Sequence, residues 1–182
     1  MKMIVLGERE NQIIKMIQKS NKKDSRDRMN GVFYSDNEIY FTNNFTALKV
    51  YSDYFSFSDQ PESNKLYNII STTKDKNGVY TYYLELADYE APNFSNMWLD
   101  KSNKKESFGL GMHKDNDFPI MSCICKIYGI QEGYSIRPCF IEPLQINRKE
   151  DVLVYCFGES KPVLFEIDYG EYIVCPVKLE KG

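Results

Sequence analysis

The chain has 182 residues, 42% hydrophobic and 27% charged, with a net charge of −3 and a mean hydropathy of −0.49, values that exclude a disordered tail protein. No apolar run approaches the roughly 20 residues of a membrane helix, and the opening Met3 to Leu6 is too short for a secretory signal core. The expectation is a mature chain starting at Met1, cytoplasmic, without a membrane partner, as one large domain or two small ones. Cys123, Cys125, Cys139, Cys156 and Cys175 make an odd set in the last third of the chain, which favours free buried thiols over a disulfide framework. The high tyrosine and phenylalanine content, 14 and 11 residues, raises the expectation of strands.

In chain order, a short strand over Lys2 to Leu6 precedes a helix from Glu8 to about Asn21, where Ile13, Ile14 and Ile17 recur at helical spacing. Glu8 and Glu10 in its first turn, with Lys15 and Lys19 further on, complement the helix dipole. From Met29 the period becomes two, which predicts strands over Gly31 to Tyr34, Glu38 to Thr42 and Ala47 to Tyr54, joined by polar turns at Ser35-Asp36-Asn37 and Asn43-Asn44. Ser56 to Asn64 reads as a loop. Leu66 to Thr73 and Val79 to Leu86 flank Asn77-Gly78, the strongest hairpin signal of the chain.

Residues 87 to 120 are weakly periodic and read as a long excursion. Strand character returns over Ser122 to Ile130. Ile136 to Ile146 is a short apolar segment in which Pro138 and Pro143 disfavour a long helix. The end is a meander: Val152 to Phe157, Pro162 to Ile167 and Tyr172 to Leu179, with turns at Gly158-Glu159-Ser160 and Asp168-Tyr169-Gly170.

Two stretches carry a family likeness. Lys161-Pro162-Val163-Leu164-Phe165-Glu166, followed by Gly170 to Leu179, resembles the C-terminal signature of the bacterial DNA polymerase III beta sliding clamp, in which a Lys-Pro-Val strand leads to a final hydrophobic-Pro-hydrophobic-basic-Leu motif. Met29 to Tyr34 and the strand leading to Leu48 are similar to the part of a clamp domain where a helix gives way to its first strands. Ile136 to Ile146 sits where the family places its second helix, and Glu90-Ala91-Pro92-Asn93-Phe94 resembles its interdomain connector. Asn43-Asn44-Phe45-Thr46-Ala47-Leu48 departs from the family's Thr-Asp-Gly-His-Arg-Leu connection and keeps only Leu48. Cys175 stands where a methionine is usual.

The resemblance implies an α+β, DNA-clamp-like fold, antiparallel sheets backed by few helices. It also implies a partner-peptide groove walled by Leu48, Val174, Cys175, Pro176, Val177 and Leu179. The bland reading of the terminal motif is a core-facing strand, which alternation of Ile173, Cys175 and Val177 satisfies. The expected organisation is a single unit of two halves, 1–57 and 132–182, with an inserted connection 58–131; the alternative is two trimmed units, 1–100 and 101–182.

A protein that encircles DNA needs cations where it faces phosphate, because counterion release drives binding without base contacts. At about 100° per residue, Lys15, Lys19 and Lys22 fall within about 60° of one another, opposite the isoleucines, and Arg26 joins them if the helix continues. Between Arg9 and Arg28 there are seven Lys or Arg and three Asp or Glu, a local balance of +4 that leaves −7 for the rest of a chain totalling −3. The competing reading is an ordinary solvated helix face.

His113, the single histidine, and Cys123-Ile124-Cys125, whose thiols would share one face of a strand, fall short of the four ligands and spacings of a zinc site. Asp115 and Asp117 read as solvated turn residues, and Gly109-Leu110-Gly111 lacks the context of a phosphate loop. The expectations are therefore no enzyme and no cofactor. The expected protein is a processivity-factor-type scaffold on non-specific double-stranded DNA, docking polymerase or clamp-loader-like proteins, as a homo-oligomer. A clamp-derived interaction protein that does not encircle DNA is the alternative, and a hydrolase using His113 and a cysteine a third class.

Overall fold

The computed structural model describes residues 2–21, 31–43, 45–90, 94, 97–110, 120–145 and 152–178. The chain divides into two compact units, Met1–Asn96 and Met97–Gly182.

In the first unit, β1 (Lys2–Leu6) leads into α1 (Glu8–Asn21), the helix that the isoleucine spacing and first-turn acids predict. The strands β2 (Gly31–Ser35), β3 (Glu38–Thr42), β4 (Thr46–Val50), β5 (Ser56–Phe57), β6 (Lys65–Lys74) and β7 (Tyr80–Glu90) follow. They join β1 in one antiparallel sheet of order β5-β1-β7-β6-β2-β3-β4. Ile13, Ile14 and Ile17 of α1 are fully buried, and the helix lies along β3 and β4. Burial of three such side chains contributes about 5–9 kcal/mol before chain entropy is subtracted.

The β2–β3 connection is a two-residue turn in which Asp36 and Asn37 both have positive φ, 52° and 64°. That is the primed turn whose twist matches paired strands, and Asn and Asp tolerate it better than other side-chain-bearing residues. At Gly31 an added Cβ would come within 2.3 Å of Leu66 Cδ1 and 2.6 Å of the Tyr67 carbonyl oxygen, so the close pairing of β2 with β6 requires glycine. Asn77-Gly78 does close the β6–β7 hairpin, but in a longer loop: Asp75 N–H donates to the Val79 carbonyl at 2.9 Å, and Gly78 takes φ +84°.

Two expectations in this unit need correcting. The strand predicted over Ala47 to Tyr54 stops at Val50, and Ser52–Tyr54 is a 3-10 turn. Within the expected loop, Ser56 and Phe57 form β5 and pair with Val5 and Ile4. Phe94 stacks on Tyr40 with ring centroids 4.6 Å apart and meets Phe33 edge-on at 5.0 Å; it is the one described residue of the connector-like stretch after Glu90.

The second unit opens with a 3-10 turn at Lys101–Asn103 and continues with β8 (Glu106–Leu110), α2 (Ile120–Ile130), β9 (Tyr134–Ser135) and α3 (Pro138–Ile141). A further 3-10 turn at Glu142–Gln145 precedes β10 (Val152–Cys156), β11 (Val163–Ile167), β12 (Gly170–Val174) and β13 (Val177–Lys178). The antiparallel sheet has the order β12-β11-β10-β8, and β13 pairs with β9 in a small ribbon. On the sheet, Phe157, Leu164 and Ile173 form a cluster covered by Trp98, Leu99 and Tyr155.

Ser122 to Ile130 is a helix, not the expected strand. Its buried residues are Cys123, Ile124, Ile127 and Ile130, the i, i+1, i+4, i+7 pattern of one helical face, where a strand would bury alternate residues. The helix ends at Glu132 (φ 54°) and Gly133 (φ 97°), with Gly133 N–H donating to the Tyr128 carbonyl at 3.1 Å, which satisfies a terminal carbonyl. Ser135 Oγ then donates to the Ile124 carbonyl at 3.0 Å and ties the exit of the helix to its middle. The proline-bearing segment after it holds only the single-turn α3 and the 3-10 turn, as two prolines allow.

Candidate functional site

The helix period places Lys15 and Lys19 on the exposed face of α1, while Ile13, Ile14 and Ile17 point inward. Lys22 and Arg26 lie outside the described residues. Lys15 Nζ donates to Tyr80 Oη at 3.3 Å and sits 4.7 Å from the Tyr80 ring centroid. Lys74 of β6 approaches the same ring at 5.2 Å and donates to Glu8 Oε1 at 3.0 Å. Burial raises the Tyr80 phenol, but its hydrogen bonds from Lys15 and Lys74 outweigh that and leave it below the ordinary value. The Glu8 carboxylate, then Tyr80, hold the Lys74 ammonium in its charged form.

Beneath this surface Tyr82 Oη donates to Asn11 Oδ1, and burial pushes that phenol well up. α1 is therefore anchored by isoleucines and one buried amide, and presents its lysines outward. Lys74 and Tyr80 escape sequence reasoning because they reach α1 only when the β6–β7 hairpin folds back across 65 residues of chain.

The residues expected to wall a peptide groove stand in different settings. Leu48 is buried in β4 of the first unit, and Val174 is buried in β12 of the second. Cys175, Pro176 and Val177 are half-buried, and Leu179 lies outside the described residues. The strand expected over Tyr172 to Leu179 breaks at Cys175-Pro176, because proline lacks the donor a ladder needs; Val177 resumes as β13 opposite Ser135. Burial pushes the Cys175 thiol up, so it behaves as an apolar side chain.

The connection before Leu48, where the clamp-family pattern is absent, has its own construction. Asn43 Oδ1 accepts from Phe45 N–H and Thr46 N–H, both at 2.7 Å, and from Thr46 Oγ1 at 3.1 Å.

The cysteine expectations divide. All five are free, with Cys123 and Cys156 buried, Cys175 intermediate, and Cys125 and Cys139 exposed, the last two against expectation. Cys123 and Cys125 do not share a face: on a helix they are about 200° apart, one inward and one outward. Burial raises the Cys123 and Cys156 thiols to about 12, which suits inert core residues. His113, Asp115 and Asp117 lie outside the described residues.

A second charged group lies in the second unit. Lys101 Nζ meets Glu166 Oε2 at 2.9 Å and Glu171 Oε1 at 2.7 Å, and Tyr155 Oη donates to Glu166 Oε2 at 2.7 Å. Burial weakens the ammonium form of Lys101, but the hydrogen bonds to Glu171 and Glu166 overcome it and raise its pKa. Lys101, by the same bond, lowers Glu166. One cation between two carboxylates fastens the start of the unit to β11 and β12.

Strand, helix and antiparallel meander, repeated in both units, define a clamp-type α+β fold, the fold of bacterial beta sliding clamps. The Helicobacter pylori beta clamp bound to a DNA ligase peptide is 11% identical, with a TM-score of 0.54 over 98% of this chain and 66% of that one. The DNA polymerase III beta subunit of Thermotoga maritima is 11% identical, with a TM-score of 0.52 over 98% and 66%. The DNA polymerase sliding clamp of Bacillus subtilis is 12% identical, with a TM-score of 0.50 over 98% and 64%. The chain spans about two thirds of the length of these clamp chains. No family model matches the sequence, and no curated protein matches it. No helix among the described residues is long and apolar enough to cross a membrane.

Proposed function

We propose that the protein is a sliding-clamp-like scaffold associated with double-stranded DNA, cytoplasmic and non-enzymatic, which docks replication proteins of the polymerase or clamp-loader kind and works as a homo-oligomer. The observation that carries the reading is α1: within a clamp-type fold, its lysine face turns outward while its isoleucine face is consumed by the sheet. Such a face suits phosphate, which needs charge and no base contacts. The half-buried Cys175-Pro176-Val177 segment supports a shallow apolar docking surface.

The test is retention of closed circular duplex against linear duplex of equal length. The scaffold reading expects salt-sensitive binding to both, and retention through gel filtration only on the circle. Substituting Lys15, Lys19 and Lys22 together by glutamate should abolish association while leaving thermal unfolding in place; unchanged retention removes α1 from the interface. The second reading, an interaction protein that keeps the fold without encircling DNA, is favoured by the Tyr80 contact of Lys15 and the neighbouring Glu8 carboxylate, which engage part of the cationic surface internally. It expects no salt-sensitive DNA binding at all.

A further inference from the structure

The cations of α1 do not stand alone. Tyr80, only 5% exposed, lies between two ammonium groups delivered by different elements, Lys15 from the helix and Lys74 from the β6–β7 hairpin. We propose that Tyr80 is a positioning residue that gathers Lys15 and Lys74 into one phosphate-binding position, so that the β6–β7 hairpin forms part of the surface gripping a nucleic-acid backbone. The inference rests on the DNA-associated reading above and adds a second element to it.

Two like charges converging on one ring repel unless an anion joins them. Glu8 is that anion in the free protein: its Oε1 accepts from Lys74 at 3.0 Å, and both side chains are open to solvent, 43% and 45% exposed. An exposed pair of this kind is held by little energy and gives way to a competing anion. Of the other nearby carboxylates, Asp75 is exposed and its Oδ1 is engaged by Asn77 N–H at 2.8 Å and Val79 N–H at 2.9 Å, and Glu10 is buried. Because Tyr80 Oη accepts a hydrogen bond from Lys15 while its ring lies under Lys74, the phenol holds both ammonium groups at one place, where a phosphate would meet two cationic donors. Lys76, exposed on the hairpin loop, and Lys19, one turn beyond Lys15, extend the positive surface on either side.

The experiment measures binding to a short duplex as a function of potassium chloride for the full chain and three variants. Lys74→Ala should reduce the slope of log K against log salt by about 0.9, the contribution of one phosphate contact. Glu8→Gln, which releases Lys74, should strengthen binding about two- to fivefold, and Tyr80→Phe should weaken it by a similar factor. Thermal unfolding of each variant confirms that the fold persists. A Lys74→Ala slope equal to that of the unsubstituted protein overturns the inference and leaves the DNA reading standing. Absence of salt-dependent binding by the unsubstituted protein overturns both.

Discussion

Asn43 organises the β3–β4 connection with a single oxygen. Its Oδ1 takes three hydrogen bonds from Phe45 and Thr46 while Asn43 N–H donates to the Thr46 carbonyl at 2.9 Å. Asn43→Ala leaves those donors without a partner in a buried setting and should lower unfolding free energy by about 1–3 kcal/mol, read as a shift of the urea midpoint at constant m. Asn43→Asp keeps an acceptor and should cost less. The buried thiols give a pH prediction. Cys123 and Cys156 rise from 9.0 to about 12 through burial, and the Tyr82 phenol is raised from 10.0 by the same cause. For a group whose folded pKa lies above its unfolded one, the stabilisation is whole below the unfolded value and disappears as pH rises toward the folded value. Stability should therefore fall above pH 9, and Cys123→Ala with Cys156→Ala should flatten that fall relative to pH 7. The Lys74–Tyr80 arrangement shows why single residues are hard to read in advance: Lys15 announces itself through helical spacing, whereas its partners are distant in the chain and carry no local signal.

At the scale of elements, α1 and the hairpin turns are legible because their signals are local. First-turn acids, isoleucines at helical spacing, Asp36-Asn37 and Asn77-Gly78 all point the same way. α2 is not, because Ser122-Cys123-Ile124-Cys125-Lys126-Ile127-Tyr128 carries β-branched and aromatic side chains, and so short an apolar run fits both periods. Packing decides, with Ile127 fully buried and Met121 at 65% exposure. Ile127→Ala should cost about 2–5 kcal/mol, and Met121→Ala less than about 0.5, in denaturant unfolding. The Lys101 clasp makes a separate prediction. Lys101→Ala leaves Glu166 and the buried Glu171 facing each other, and should destabilise the protein by about 1–3 kcal/mol, discounted because Lys101 itself is 34% exposed. Glu166 is held below its ordinary 4.5 chiefly by Lys101, so the clasp's contribution is present above that pH and lost as pH falls below it. In Lys101→Ala the acid-side loss of stability should shrink accordingly.

For the whole molecule, the repeated order of strand, helix and meander carries the architecture at 11–12% identity to solved clamps. Fold survives such divergence because burial pattern and turn chemistry tolerate exchange of side chains, while a peptide groove does not. That is why the terminal motif is readable as sequence while its groove is not: Pro176 and Val177 are half-buried, and Leu48 and Val174 are packed inside their own units. A ring requires copies, so light scattering should give an integral multiple of 21.3 kDa, two or more. A monomer across the working concentration range would favour the interaction-protein reading.

Gly31, where β2 meets β6, bears on ancestry as well as architecture. A methyl group there would strike a carbonyl oxygen 2.6 Å away, and a backbone atom cannot step aside as a flexible side chain can. While neighbouring letters drift, this bare α-carbon ahead of Val32-Phe33-Tyr34 should persist, a landmark by which distant kin of the chain can be found.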